Sequence, residues 1–255
     1  MSDFVSKNSI VRKIWGNGDT VLYIFSGAAA EFALNKAVDW LYFTGRLPAD
    51  PIGRLFSTVT YARAIIFSEN ESALRAIDKI TAIHAEVETK RGAKIPDWAY
   101  RDVLFMLIDY SIRSYEILQR KMTHAEKCDV FQVFLSVGNR MNLAGLPVSY
   151  ESWLTMRKEH MKENLARSTY TVDLFKQYEK KLGSFRYMLL RQGQWMVVPV
   201  EIRHLLPFQI KPWLGPMLSI YKILRILNMH RFFRNAILPG KYMEEIRRLD
   251  VTLYN

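Results

Sequence analysis

The sequence contains few residues that interrupt helices, and this scarcity limits the fold classes it can adopt. Glycine and proline number only 12 and 9 of 255 residues, below their average use in soluble proteins. So few chain breakers disfavour a hairpin-rich sandwich and favour long helices. The aromatic residues (14 Phe, 13 Tyr and 6 Trp) exclude a disordered chain.

Cysteine is nearly absent, since Cys128 is the only one in the chain. A single thiol can form neither an intramolecular disulfide nor a Cys-rich zinc site, and the simplest interpretation is a reducing compartment. Long hydrophobic runs are also missing, because the uncharged stretch 20–30 is too short to cross a bilayer about 30 Å thick. The first residues lack the apolar core of a secretion signal, so we expect a cytoplasmic protein.

Acidic residues are absent between positions 202 and 243, where seven basic residues lie. Trp213, Leu218 and Phe232 are among the large apolar residues interleaved with these cations. Two interpretations of the segment from about 211 to 255 remain open. It is either a core helix pair whose cations face water or an interfacial segment that rests on an anionic membrane. No nucleic-acid-reading motif accompanies the charge, so a nucleic-acid partner is not expected.

Apolar residues recur at helical spacing along most of the chain, and no run alternates as a strand would. Four predicted helix starts have a capping residue, namely Asp19, Asp50 before Pro51, Thr123, and Ser149. Helices are expected from 19 through 40 to near 45, from 51 through 66, from 72 to 88, from 96 to 121, from 123 to before 145, and from 149 onward. Shorter helices should follow, broken at Gly183, Gly193 and later prolines. We therefore predict one all-α domain over residues 1–255.

Among the five histidines, His84 has the most informative context. It shares a helical spacing with the apolar residues at positions 74, 77, 80 and 87, so it belongs to the apolar face of its helix. It is either a core histidine whose ring nitrogens are satisfied by neighbours or a metal or heme ligand. His124 and His160 lie among charged residues and are expected at the surface.

Arg54, Thr58 and Tyr61 are separated by four and three residues, so they share one face of a helix. This face is either solvated, with Arg54 extending its charge into water, or the polar part of a site. Other motifs are incomplete. Glu201 and His204 have the spacing of a di-iron ligand pair, but the second such motif is missing. No nucleotide-binding or nucleophile-elbow motif is present.

These residues form part of a longer pattern that resembles a known family. The stretch 49–61 (ADPIGRLFSTVTY), followed by IHAEV at 83–87, is similar to the core signature of the latex-clearing-protein/MpaB-like oxygenases. Further similar stretches are IDYS at 108–111, AGLP at 144–147 and VPVEIR at 198–203. The resemblance covers about residues 20–210 and implies a globin-like helical domain, with extra helices in the C-terminal segment.

The resemblance implies a heme b held by His84, with Arg54 and Thr58 near the heme as the catalytic residues. Tyr61, Asp109 and Arg203 are further candidates for cofactor contact, Asp109 by orienting the imidazole. The implied reaction uses O2 on a hydrophobic, unsaturated substrate of isoprenoid or lipid type, either by cleavage of a carbon–carbon double bond or by another oxygenation. The alternative is a non-enzymatic heme or lipid carrier, because a pocket with an axial histidine can bind without reacting.

Overall fold

The structure, a computed structural model, describes residues 2–45 and 49–210. These residues form helices and no strand. The helices are α1 (Ile10–Trp15), α2 (Gly18–Phe32), α3 (Val38–Phe43), α4 (Pro51–Ile66), α5 (Asn70–Arg91), α6 (Asp97–Leu118), α7 (His124–Arg140), α8 (Tyr150–Glu163), α9 (Thr169–Val197) and α10 (Val200–Arg203). The predicted all-α class is confirmed, and its globin-like detail stays a prediction.

Three of the four predicted helix caps are confirmed by their hydrogen bonds. The Asp50 side chain accepts from the backbone N–H of Gly53, 3.1 Å away, at the start of α4. Thr123 and Ser149 each accept from the N–H three residues later, at the starts of α7 and α8. These side chains satisfy N–H groups that have no partner within the helix.

The single helix expected from a cap at Asp19 to near residue 45 is wrong. Asn17 caps α2 in place of Asp19, which lies in the first turn. α2 ends at residue 32, and α3 begins only at residue 38. The intervening backbone pairs with a distant loop instead of continuing the helix. The Ala166 N–H donates to the Leu34 carbonyl over 2.8 Å, and the Lys36 N–H donates to the Asn164 carbonyl over 2.9 Å.

The second half of the chain contains the longest described helix, not only short ones. α9 has 29 residues and leaves helical geometry at Gly183, where φ is 74° and ψ is 161°. Glycine adopts this conformation without the steric cost that a side chain would impose. The break expected at Gly183 is therefore confirmed, whereas the break expected at Gly193 is wrong because that residue lies within α9.

The centre of the described fold is the packing of α2 along α6, with α9 covering α2. Gly27 is needed there, because a Cβ atom at this position would lie 2.4 Å from the Tyr110 ring. α4 and α5 form a second packed pair that contacts α2, α7 and α9. A cavity lies between this pair and the central helices.

No described helix combines the length and the apolarity needed to cross a membrane. The segment 211–255, with its two open interpretations and its expected extra helices, lies outside the described residues. The single-domain assignment over 1–255 likewise stays a prediction.

Candidate active site

The cavity has a volume of about 300 Å³ and is walled mainly by α2, α4, α5 and α6. Most of its lining is aliphatic or aromatic, as shown by Phe25, Phe32, Leu55, Ile83, Leu107 and Tyr178. None of the described residues that line it carries a carboxylate. A concave, apolar site with a few polar groups is the usual form of a small-molecule site.

α4 contributes three polar residues to the lining. Arg54, Thr58 and Tyr61 are all half-buried and all line the cavity. Arg54 Nη1 donates to Ser57 Oγ over 3.1 Å, and the Thr58 hydroxyl donates to the Arg54 carbonyl over 3.2 Å. The face that could have been a solvated helix surface therefore borders the cavity.

His84 lines the same cavity from α5, which packs against α4. Its ring is half-buried, and its Nδ1 atom is buried without a hydrogen-bond partner. Burial and then the positive charge of Arg54 lower the pKa of His84, while Glu88 and the Ile80 carbonyl act in the opposite direction. The imidazole is thus neutral at pH 7, the state in which a histidine binds a metal. Its Nδ1 lacks the well-formed hydrogen bond that is expected of a satisfied core histidine.

Tyr100 and Glu88 are site residues that the sequence analysis missed. The Tyr100 ring lines the cavity and meets the His84 ring edge-on, with centroids 5.2 Å apart and planes at 90°. Its hydroxyl donates to Glu88 Oε1 over 3.1 Å. Burial and then Glu88 raise the pKa of Tyr100, so the hydroxyl stays protonated at neutral pH. The one signal in the sequence is that Glu88 lies one helical turn after His84.

The structure places Asp109 and Arg203 outside the cavity lining. The Asp109 carboxylate accepts from Arg113 Nε over 2.6 Å and from Arg157 Nε over 3.1 Å. The Arg203 guanidinium lies 5.5 Å from the centre of the Trp195 ring. Burial, followed by the charge of Arg113, lowers the pKa of Arg203. Four of the six candidate residues are therefore brought together, and these two are not.

Asp109 belongs to a buried ionic network that joins α2, α6 and α8. Arg157, 3% exposed, contacts both carboxylate oxygens of Glu31, and the Tyr110 hydroxyl donates to Glu31 over 2.7 Å. Burial alone would lower the pKa of Arg157, but Glu31 and Asp109 raise it well above its ordinary value. Buried charges of this kind are tolerated because they are paired and hydrogen-bonded.

The expectation for His160 is wrong, because this residue is buried. Its Nδ1 contacts Asp102, whose other carboxylate oxygen accepts from Asn35 Nδ2 over 2.7 Å. Asp102 lies 58 residues earlier in the chain, so the charged residues next to His160 in sequence do not reveal the partner. His124, in contrast, is exposed as expected.

The family model described as "ER-bound oxygenase mpaB/B'/Rubber oxygenase, catalytic domain" matches residues 13–246, nearly the whole chain. Neither curated proteins nor solved structures give a significant match. The family resemblance of the motifs around Arg54 and His84 is confirmed by this match. The chain therefore belongs to the mpaB/rubber oxygenase catalytic-domain family, and the activity class that this membership supports is that of an oxygenase.

Proposed function

We propose that the protein is a heme b-dependent oxygenase that uses O2 to oxidise a hydrophobic, unsaturated substrate by cleavage of a carbon–carbon double bond. The observation that carries this proposal is the state of His84. Its neutral imidazole, with an unpartnered buried Nδ1, borders an apolar cavity that also holds Arg54 and Thr58.

The set of donor atoms fits heme better than a protein-bound ion. A non-heme iron site of the common type needs two histidines and a carboxylate. Within residues 2–45 and 49–210, no group of three or more His, Cys, Asp or Glu could hold a metal ion. Heme needs only one axial side chain, since the porphyrin supplies the other ligands. His84 is that ligand in the proposal, and the apolar walls would enclose the macrocycle.

The chain's own residues have distinct roles in the proposed reaction. Bound heme supplies the redox chemistry that activates dioxygen. His84 would hold the iron, and its lowered pKa keeps the ring available as a ligand. Arg54 would donate hydrogen bonds to dioxygen or to the edge of the cofactor. Thr58, one turn later on α4, would polarise the same groups by turning its hydroxyl hydrogen toward them from the Arg54 carbonyl. Such preorganised donors stabilise developing negative charge most strongly where water is excluded.

The lining also supports the proposed substrate class. A cavity without carboxylates among its described lining residues and with mostly aliphatic and aromatic walls gives little compensation for burying a polar substrate. An isoprenoid- or lipid-like alkene loses little by leaving water and gains from the burial of its apolar surface. The walls would exclude water from the reacting double bond.

Turnover with labelled oxygen tests the proposal. Protein loaded with heme b is mixed with squalene under ¹⁸O₂, and products are followed by mass spectrometry. We expect cleavage products that carry the label, and an about 100-fold lower rate in Arg54→Gln. Thr58→Val should also be slower, whereas the matched variant Thr60→Val should not. Both threonines donate to a carbonyl one turn earlier, but Thr60 is exposed and does not line the cavity.

A carrier of heme or lipid is the second candidate, and the apolar lining favours it equally. A carrier would bind heme or the isoprenoid without consuming oxygen. Stable binding of both ligands with no labelled product would therefore favour the carrier and contradict the oxygenase.

A further inference from the structure

The proposed ligand His84 lacks the anchor that metal-binding histidines usually have. In such sites the second ring nitrogen donates to a carboxylate, a carbonyl or a water, and this bond fixes the orientation of the ring. Here Nδ1 is buried and makes no hydrogen bond of ordinary geometry, and the nearby Ile80 carbonyl acts on the ring only by raising its pKa against the larger effect of burial. Without a well-formed hydrogen bond at Nδ1, the orientation of the imidazole depends mainly on the side chains packed around it.

Tyr100 is the aromatic neighbour that can fix the ring. It is the fourth residue of α6, and its ring meets the imidazole at 90° with a centroid distance of 5.2 Å. Edge-to-face geometry is a favoured arrangement of two aromatic rings, and rotation of either ring would disrupt it. Tyr100 thus restricts the plane of His84 without a hydrogen bond to it.

Tyr100 is itself held in place by Glu88, which lies one turn after His84 on α5. Glu88 Oε1 accepts from the Tyr100 hydroxyl over 3.1 Å and from the Ile95 backbone N–H over 2.9 Å. One carboxylate oxygen therefore ties the loop after α5 and the first turns of α6 to the helix that carries His84. Glu88 does not line the cavity.

We infer that Glu88 and Tyr100 are positioning residues that hold the His84 ring in the orientation needed for ligation. Tyr100 acts by ring contact with His84, and Glu88 acts through Tyr100. This inference rests on the proposed function, since it takes His84 to be the heme ligand. In other sites a hydrogen bond to the second ring nitrogen fixes the histidine, whereas here packing against Tyr100 would do so.

The chain offers variants that separate the parts of this arrangement. Tyr100→Leu removes the ring, and Tyr100→Phe removes only the hydroxyl. Glu88→Ala removes the acceptor, whereas Glu88→Gln keeps an acceptor oxygen and should restore the position of Tyr100. Glu86→Ala is the matched control, because Glu86 lies on the same helix, is exposed and pairs with Lys90.

Two readouts test the inference, one of them without heme. In the heme-free protein, nuclear magnetic resonance reports the shifts of the His84 ring protons, which depend on the orientation of that ring toward Tyr100. Tyr100→Leu alters these shifts by loss of the ring current alone, so Glu88→Ala, which keeps the Tyr100 ring, is the variant in which they report orientation. In the heme-loaded protein, transfer of heme to excess apomyoglobin reports the strength of ligation. We expect altered His84 shifts and about 10-fold faster heme transfer in Tyr100→Leu and Glu88→Ala, the usual order of effect for partners of metal ligands.

Tyr100→Phe should show the same changes in smaller degree, while Glu88→Gln and Glu86→Ala should match the wild type. Unchanged His84 shifts and heme transfer in Tyr100→Leu and Glu88→Ala, with helical circular dichroism retained, would overturn the positioning role. If Glu88→Ala fails to fold, the pair Tyr100→Phe and Glu88→Gln decides by the same two readouts. Wild-type protein that binds no heme would overturn the proposed function, and the ring shifts would still show whether the pair orients His84.

Discussion

Two histidines of this protein differ in whether their buried ring nitrogens have a hydrogen-bond partner. His160 is buried beside α6, and its ring contacts Asp102, which also binds Asn35. His84 borders the cavity between α4 and α6, and its buried Nδ1 has no partner. The first arrangement satisfies its polar groups within the protein, as stable interiors generally do. The second leaves a polar atom unsatisfied, which costs stability and marks the region where a ligand is expected.

The same contrast extends to the charges around each histidine. Near His160, the neighbouring ionic network pairs Arg157 with Glu31 and Asp109. In the cavity, Arg54 lowers the pKa of His84, and no described lining residue is a carboxylate. We conclude that the network pairs its buried charges within the fold, whereas the cavity holds a neutral imidazole whose Nδ1 is left without a hydrogen-bond partner. Substitutions in the two regions should therefore have different consequences.

The largest effect on stability is expected for Arg157→Met. This change leaves Glu31 as a buried carboxylate without its cation and removes one of the two arginines that pair with Asp109. Breaking a buried pair in this way costs about 3–5 kcal/mol. Urea denaturation followed by circular dichroism measures the loss. The double variant Glu31→Leu with Arg157→Met should recover part of it, since one uncompensated charge is gone. A loss below about 1 kcal/mol for Arg157→Met would show that the network does not hold the fold together.

Asp102→Leu should have the next largest effect. It removes the acceptor for both His160 and Asn35 and leaves their buried polar atoms unsatisfied, at about 1–3 kcal/mol for each group. The same denaturation measurement applies. Glu159→Leu, at an exposed position next to His160 in sequence, serves as the control and should change stability little. Equal losses in the two variants would contradict the structural role of the Asp102 contact.

His84→Leu should change stability by no more than about 1 kcal/mol, because it replaces a polar atom without a partner by an apolar group. This result would support the difference between the two histidines, with only His160 held by a structural partner. A loss of stability as large as that of Asp102→Leu would contradict this difference, since the His84 imidazole would then have a structural partner too. The melting temperatures of the three proteins, measured without heme, decide between these outcomes.

The smallest effect is expected at a surface ion pair outside both regions. Arg120 and the Thr123 N–H bind Glu126 and lower its pKa to about 2. A lowered pKa stabilises the fold above the ordinary value of 4.5, and this contribution is lost as the pH falls from there toward 2. Because the pair is near the surface, Glu126→Gln should cost at most about 1 kcal/mol at pH 7. At pH 2 the cost should shrink, and a pH-independent cost would contradict the assignment.

The parts of the fold that could be predicted are those set by local sequence. Asp50, Thr123 and Ser149 cap their helices through bonds to residues three positions later, so the sequence alone identifies these starts. The end of α2 could not be predicted, because Leu34 and Lys36 pair with a loop more than a hundred residues away. Distant partners override the local preference for helix in this segment.

In the candidate site, too, some features could be predicted from local sequence and others could not. Arg54, Thr58 and Tyr61 share a face by spacing alone, and His84 lies on the face of a helix that packs against theirs. The contact between His84 and Tyr100 could not be predicted, because it depends on the angle at which α6 returns after the loop. The surface position expected for His160 is wrong, because its charged neighbours in sequence give no sign that it is buried against Asp102.

The most direct test of the central claim is the absorption spectrum of heme-loaded His84→Gly with and without added imidazole. We predict a Soret band in the wild type, its loss or displacement in the variant, and its return to the wild-type position when imidazole fills the space of the missing ring. A wild type without a Soret band, or a variant with an unchanged band before imidazole is added, would contradict the assignment of His84 as the heme ligand.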